Sequence, residues 1–437
     1  MKPNILFLMS DEHRYDTAGY AGNTVVRTPI LDWLARDGVV FDNAYTPSPI
    51  CIPARQCIAS GQLPRHCGCE HYGDDLPPGH MTFPRRLVEH GYEAAVSGKL
   101  HHMGTDQMQG WSARISGDMQ IAPRYLGAAA QQSRRSMADQ KWSDAKEIQR
   151  AGVGRGQCVS HDDYAVAGAL QYIEDYFCNP YYDREQQHPL LLKVSLLQPH
   201  YPYLTSEQLF TYYLNRVEPF LDEETFDHPF LKQRAVKRGV DVSEREIRRA
   251  TAAYYGMVET IDSQYGQVID ALTAAGQNLD DWIIIYTSDH GEMLGQHGIW
   301  EKQKFFEGSA RVPLIIRYPR RLTGGQRITA NVNLCDLFAT LCDLTGAEIP
   351  EGLDSRSLVP LMEGRHEDWD NESVSQFGGT NLMIKRDHLK YQYYGEDMPE
   401  VLFDLERDPG ETVNWLHDEA YQEVLAQFRL RRSQLSF

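Results

Sequence analysis

No apolar run in this 437-residue sequence approaches the roughly 20 residues that a membrane-crossing helix needs, so no span is expected. Positive charge is also short: 43 Lys and Arg stand against 61 Asp and Glu, leaving a formal −18. A protein that neutralises nucleic-acid phosphates carries the opposite balance, so nucleic acid is not an expected partner. Any anion handled here must be held by a local group of cations, because the global field repels it. Cysteine is sparse at 8 residues, and Ile5–Met9 is too short for the apolar core of a signal peptide. The expectation is therefore a cytoplasmic chain with free thiols rather than a disulfide framework. Internal repeats and coiled-coil heptads are missing too. What remains, 42% hydrophobic and 24% charged, is globular composition long enough for two or three domains or one large domain with an appendage.

Against these absences stands a recurring pattern of strand-like runs that end in chemically capable groups. Asn4–Met9 leads to Asp11-Glu12-His13-Arg14, and Tyr92–Val96 leads through Ser97-Gly98 to Lys99 and His101-His102. Leu190–Leu197 leads to Gln198-Pro199-His200, and Trp282–Tyr286 leads to Asp289-His290. The first and last runs are almost wholly apolar, as strands covered on both faces should be. Helical patterns lie between: Thr28–Asp37 with Pro29 in its first turn, and Ser243–Ala275, whose Tyr254, Met257, Val258, Ile261, Tyr265, Val268, Ile269 and Leu272 form one stripe ending at Gly276. Alternating strands and helices imply an α/β fold with a large, mostly parallel sheet sandwiched by helices. Such sheets bind ligands at the carboxyl ends of their strands.

Gly104–Asp163 and Tyr201–Val242 are polar and poorly periodic, and read as insertions near that rim. Their Trp111, Trp142 and tyrosines are candidates to stack on a ring or enclose a quaternary ammonium. After Pro360-Leu361-Met362-Glu363-Gly364-Arg365 the pattern changes to short strands at Leu382–Lys385, Leu389–Tyr394 and Val401–Phe403, then a helix from about Glu419 to Leu430. The expected organisation is a catalytic domain over 1–365 and a small C-terminal α+β subdomain over 366–437.

Cys51-Ile52-Pro53-Ala54-Arg55 has Pro53 suited to a helix's first turn and Cys51 just ahead of that turn, where backbone N–H groups favour an anion. Arg55 returns to the same region one turn later. A cysteine before an ordinary surface helix is the plain alternative. A second cluster, His66-Cys67-Gly68-Cys69-Glu70-His71, is spaced too tightly for the usual structural zinc patterns and reads as a substrate-lining loop. Cys57 reads as a small buried hydrophobe.

Taken in order, the Asp11 run, Cys51–Arg55, Gly98-Lys99-Leu100-His101, Pro199-His200, Ser288-Asp289-His290-Gly291-Glu292, Lys302 before Phe306-Glu307-Gly308, and the Leu402–Pro409 turn resemble the type I sulfatases of the alkaline-phosphatase-like superfamily. Ser48–Gln62, Ser97–His101 and Gly104–Gln107 look most like the choline-sulfatase branch. The resemblance implies that Cys51 is oxidised to formylglycine by a formylglycine-generating enzyme. It also implies a divalent metal, Ca²⁺, held by Asp11, Glu12, residue 51, Asp289 and His290; the imidazole of His290 leaves Mn²⁺ open. Lys99 maps to the sulfate and the formylglycine hydroxyl, His101 to the base that releases sulfate, and Arg55 to a clamp on the metal carboxylates. His200 and Lys302 map to the leaving-group side, with Lys304 competing for the place of Lys302. The implied activity is hydrolysis of a small sulfate monoester (an aryl, choline-like or saccharide sulfate). The alternatives are a phosphonate monoester or phosphodiester hydrolase on the same scaffold, and a non-catalytic carbohydrate-binding relative with unmodified Cys51.

Overall fold

The computed structural model describes residues 2–118, 144–181, 187–221 and 227–437. The chain begins with β1 (Asn4–Asp11), β2 (Val39–Tyr45), β3 (Glu93–Gly98), β4 (Ala113–Ser116), the two-residue β5 (Gly152–Val153), β6 (Leu190–Pro199) and β7 (Leu204–Thr205). It continues with β8 (Trp282–Ser288), β9 (Arg311–Val312), β10 (Leu314–Arg317) and β11 (Gln326–Asn333). The central sheet runs β11-β2-β10-β8-β1-β6-β3-β4, with β9 on β2. β1 pairs in parallel with β6 and β8, and β3 with β6 and β4, whereas β10 runs antiparallel to both its neighbours. The expected mostly parallel sheet is present.

The pleat of β1 explains why this sheet is a sandwich. Ile5, Phe7 and Met9 face one core with Phe83, Leu337, Phe338 and Leu341, while Leu6 and Leu8 face the other. That second core is closed by Leu31 and Leu34, by Ala165, Ala169 and Ile173 of the Gln157–Cys178 helix, and by Ile261, Tyr265, Val268 and Leu272 of the Glu244–Ala274 helix. At ~1.5–3 kcal/mol per fully buried large apolar side chain, both faces strongly favour this layering. The long helix starts at a capping box, with Ser243 Oγ accepting from Glu246 N and Ser243 N donating to Glu246 Oε2 at 2.7 Å. It stops before Gly276, whose φ of 78° is left-handed.

The two segments read as insertions carry regular elements despite their weak periodicity. Within Gly104–Asp163 lie the edge strand β4, the helix Asp144–Arg150 and the start of the Gln157–Cys178 helix, and within Tyr201–Val242 lie β7 and the helix Glu207–Leu214. The C-terminal antiparallel sheet has four strands: β12 (Glu372–Phe377), β13 (Asn381–Arg386), β14 (Leu389–Tyr394) and β15 (Val401–Asp404). A helix, Gln422–Gln434, packs Leu425 and Phe428 onto Leu382, Ile384 and Tyr391. All eight cysteines are free thiols, and among the described residues no helix is long and apolar enough to cross a membrane.

Candidate active site

Because β1, β3, β6 and β8 run in parallel, their carboxyl ends share one rim, and each delivers one of the chemical groups seen in the sequence. β1 ends in Asp11, β3 in Gly98 before Lys99, β6 in Pro199 before His200, and β8 in Ser288 before Asp289. Gly98 is required where it stands: at φ 101°, an added Cβ would lie 2.0 Å from Ser195 O. Its absence lets Lys99 N donate to Ser195 O at 2.8 Å, drawing the lysine over β6.

Cys51 lies one position later than the sequence implies: it is the first residue of the Cys51–Ser60 helix, with Ile50 as N-cap and Pro53 still in the first turn. Arg55, one turn on, spans the two carboxylates, with Nη2 3.0 Å from Asp11 Oδ2 and Nε 2.7 Å from Asp289 Oδ2. Its Nη1 donates to Lys99 O and Ser195 Oγ, both at 2.9 Å. Lys99 Nζ pairs with the same Asp11 Oδ2. With these oxygens occupied, each carboxylate turns Oδ1 toward Cys51 and His290. Cys51 Sγ is 3.8 Å from Asp11 Oδ1, and His290 Nε2 is 3.2 Å from Cys51 Sγ, 3.9 Å from Asp11 Oδ1 and 3.7 Å from Asp289 Oδ1. His290 Nδ1 donates to Gly291 O at 3.0 Å, which aims the Nε2 lone pair at this group.

Asp11, Cys51, Asp289 and His290 are fully buried, and their donor atoms lie within 4.8 Å of one another. Two carboxylate oxygens, an imidazole nitrogen and residue 51 fit a divalent cation. Glu12 departs from the expected five-residue shell. Its Oε2 is 2.8 Å from Lys302 Nζ and 3.4 Å from His200 Nε2, grouping it with Asp11 and His200 instead. Its Oε1 is buried without a hydrogen-bond partner, an orphan that a cation would satisfy.

Lys302, not Lys304, enters the site. Lys304 Nζ donates instead to Phe230 O at 2.7 Å. Lys302 Nζ also lies 2.8 Å from His200 Nε2, and His200 Nδ1 donates to Tyr201 O at 2.7 Å. The His200 ring therefore accepts from the ammonium. The segment carrying Lys302 is folded by buried Glu292, whose Oε1 accepts from Leu294 N at 2.7 Å and Glu301 N at 2.6 Å while Oε2 accepts from Tyr203. Glu12 (φ 67°), His101 (62°), Glu301 (68°) and Gln303 (74°) all hold left-handed backbone beside the site, a strain that the surrounding bonds must maintain.

The electrostatics separate the groups. Burial would raise the Asp11 carboxyl, but Lys99, His200, Arg55 and His290 outweigh it and hold it well below the usual range. Burial dominates at Glu12, opposed by Lys302 and reinforced by Glu292 and Glu301, so its carboxyl rises. Burial and Asp11 push the Cys51 thiol up, but Lys99, Lys302 and His290 bring it below its ordinary value. Burial, with Lys99 beside His101 and Lys302 beside His200, holds both imidazoles well below 6.5 and therefore neutral at pH 7. Arg55, Lys99 and Lys302 are the local cation group that the acidic composition required.

Cys51, Lys99, His101, His200 and Lys302 floor a cavity of about 610 Å³ walled by Tyr72, Asp118, Glu147, Arg150, Tyr201, Arg234 and Glu301, among others. Tyr201, one of the candidate tyrosines of Tyr201–Val242, packs on His200 at 4.1 Å between rings, whereas Tyr72, 3.4 Å from His101 Nε2, lies outside both segments and carries no motif that would mark it. Two expectations about the walls fail, those for Trp111 and for the His66–His71 loop. Trp111 is core, edge-on to Phe83 at 5.8 Å. Trp142 lies outside the described residues. The His66–His71 loop lines no part of this cavity: His66 binds Asp354, Glu70 binds Arg65, and Cys67 and Cys69 pack on Cys57.

Comparison with known proteins agrees with this geometry. A family model described as Sulfatase matches residues 3–347, and one described as N-sulphoglucosamine sulphohydrolase, C-terminal, matches residues 295–436. The chain is 33% identical over 428 residues to a choline-sulfatase of Rhizobium meliloti (strain 1021), covering 94% of this chain and 82% of that protein. It is 28% identical over 467 residues to an arylsulfatase of Clostridium perfringens (strain 13 / Type A), covering 98% and 93%. Among solved structures, the phosphonate monoester hydrolase of Agrobacterium radiobacter superposes with a TM-score of 0.81 at 23% identity, covering 100% of this chain and 95% of that one, which establishes the shared fold. The chain belongs to the sulfatase family and is a sulfuric ester hydrolase.

Proposed function

We propose that the protein cleaves a small sulfate monoester to alcohol and sulfate using formylglycine at position 51 and a divalent cation, Ca²⁺ or Mn²⁺, held by Asp11, residue 51, Asp289 and His290 with Glu12 Oε1 as a further donor. The observation that carries this reading is the meeting of Asp11, Asp289, His290 and three buried cations around Cys51, which with Lys99 and Lys302 lines the cavity. A bound cation supplies Lewis acidity toward a sulfate oxygen and the nucleophile. A hydrated formylglycine supplies one hydroxyl for attack on sulfur and a second whose deprotonation expels sulfate.

The remaining work falls to the chain itself. Lys99 and Lys302 neutralise sulfate oxygens that would otherwise repel a nucleophile. Arg55 fixes Asp11 and Asp289 through their Oδ2 atoms, and the Glu12 and His290 amides hold Asp289 Oδ1, so that both Oδ1 atoms face the group around residue 51. His101, neutral at pH 7, is the base that takes the proton during sulfate release. On the leaving-group side the proton rests on Lys302 Nζ, with His200 Nε2 as its acceptor, so the alcohol oxygen is protonated from this pair. Tyr72 and Tyr201 together with the mixed carboxylates and arginines of the wall receive the alcohol, for which aryl, choline and saccharide sulfates are the candidates.

Two measurements test this. Tryptic mass spectrometry of the peptide holding residue 51 should show sulfur replaced by oxygen with two hydrogens lost; an unmodified thiol in active protein sinks the proposal. Initial rates on an aryl sulfate should exceed those on a phenyl phosphonate ester; the reverse order assigns the phosphonate reading.

A further inference from the structure

Behind the active site, the helix that begins at Cys51 carries a second thiol, Cys57, whose Sγ lies 3.7 Å from Cys67 Sγ. Both are buried, and with Cys69, Leu76 and Ala59 they form a small satellite cluster separate from the main cores. Cys67 belongs to the four-residue helix Pro64–Cys67, which left-handed Gly61 folds back against the first helix. The catalytic reading uses none of these thiols.

We propose that Cys57 and Cys67 are an oxidation site that closes to a disulfide and staples the nucleophile-bearing helix to the turn that follows it. Two sulfurs in van der Waals contact need only a small approach to bond, with no rearrangement of the flanking elements. Cys67 is the entry point, being 7% exposed against 0% for Cys57. Hydrogen bonds from the Cys57 and Cys69 thiols favour its thiolate, while burial and donation to Cys67 keep Cys57 protonated. With hydrogen peroxide, the Cys67 thiol takes one oxygen to become a sulfenic acid and releases one water. The Cys57 sulfur then attacks that sulfur, forming the S–S bond as the hydroxyl leaves with the thiol proton as a second water.

The full chain would be treated with peroxide, alkylated with N-ethylmaleimide under denaturing conditions and digested with trypsin without reduction. The expected product joins peptides 56–65 and 66–85, the latter carrying one N-ethylmaleimide on Cys69, at two hydrogens below the sum of those masses, with fragmentation placing the link on Cys67 and dithiothreitol reversing it. The thermal midpoint should rise by ~2–4 °C and return on reduction. In Cys57→Ala the sulfenic acid should persist on Cys67 and be trapped by dimedone, with no cross-link and no rise. Recovery of Cys57 and Cys67 as alkylated thiols while exposed Cys178 is oxidised would overturn the proposal, and so would a link at Cys69.

Discussion

Two of the protein's clusters of buried ionic groups differ in what they leave unmatched. Under the C-terminal sheet, Lys390 Nζ pairs with Glu307 and with Glu411 Oε1 at 2.7 Å, and donates to Phe305 O at 2.9 Å. Glu307 N donates to Glu411 Oε2 at 2.7 Å, and Arg311 Nη1 stands 3.4 Å from Glu307 Oε2. This cluster answers its own charges and joins β14 to the Glu307–Ala310 helix just beyond Lys302. The rim cluster uses the same residue types but turns Asp11 Oδ1, Asp289 Oδ1, His290 Nε2 and Cys51 Sγ toward one point, and leaves Glu12 Oε1 and His101 Nδ1 without partners. Burial of charge alone therefore does not mark a site here; convergence of unmatched donors beside a cavity does.

The strongest tests of this contrast remove single residues, two from the rim cluster and one from the closing cluster. Cys51→Ala should lower aryl-sulfate turnover by at least ~10⁴-fold while leaving circular dichroism and the thermal midpoint near those of the parent, because covalent catalysis is lost and no ion pair is broken. Lys302→Met should reduce kcat by ~10²–10⁴-fold, and more for alkyl than for activated aryl sulfates, since the lost proton matters most for a poor leaving group. Lys390→Met should do the reverse: ~3–5 kcal/mol lost in urea unfolding as Glu307 and Glu411 are stranded, with the folded enzyme's kcat retained. A dead but stable Lys390→Met protein would erase the distinction.

How legible this was in the sequence follows the same division. The rim residues were readable because parallel strands place their carboxyl ends together, and each of Asp11, Lys99, His200 and Asp289 stands two or three positions after the end of an apolar run. The closing cluster was not readable: Glu307, Lys390 and Glu411 come from three segments with no shared period, and only tertiary packing joins them. β10 escaped notice because Leu314–Arg317 is four residues long, and β12 because Glu372-Ser373-Val374-Ser375 carries one apolar side chain in four. Glu12 was harder to place for a local reason. Its left-handed φ of 67° turns the chain at the strand end, so its carboxylate reaches Lys302 rather than joining the Asp11–Asp289 pair. The four-residue step from Lys302 to Phe306-Glu307 already favoured Lys302 over Lys304, and the Glu292 bonds show how the loop carrying it is fixed.

A pH experiment sharpens the stability side. Burial would raise Glu307, but Lys390 and Arg311 hold it near 2 against 4.5 for a free glutamate. A carboxyl depressed on folding contributes stability above its unfolded value and loses it as pH falls from 4.5 toward 2; the gap corresponds to ~3 kcal/mol. Glu307→Gln should therefore cost ~3 kcal/mol at pH 6, and the difference from the parent should shrink steadily below pH 4.5. A constant difference across that window would mean that packing, not charge, holds Glu307.

The smallest expected effect concerns Tyr72, where the cavity wall meets the rim cluster. Its hydroxyl lies 3.4 Å from His101 Nε2 and its ring meets the imidazole edge-on, at 5.7 Å and 84°. The contact orients a base whose backbone already sits at φ 62°, but it is long, and a typical net hydrogen bond contributes only ~0.5–1.5 kcal/mol. Tyr72→Phe keeps the ring and should lower kcat by about two- to tenfold, with KM and the thermal midpoint little changed. Tyr72→Ala also removes the edge-on surface and should lower kcat further. If both variants instead raise KM at constant kcat, Tyr72 belongs to the wall that receives the alcohol, and the unmatched atoms of His101 are held in place by the Leu100 and His101 amide bonds to Asp118.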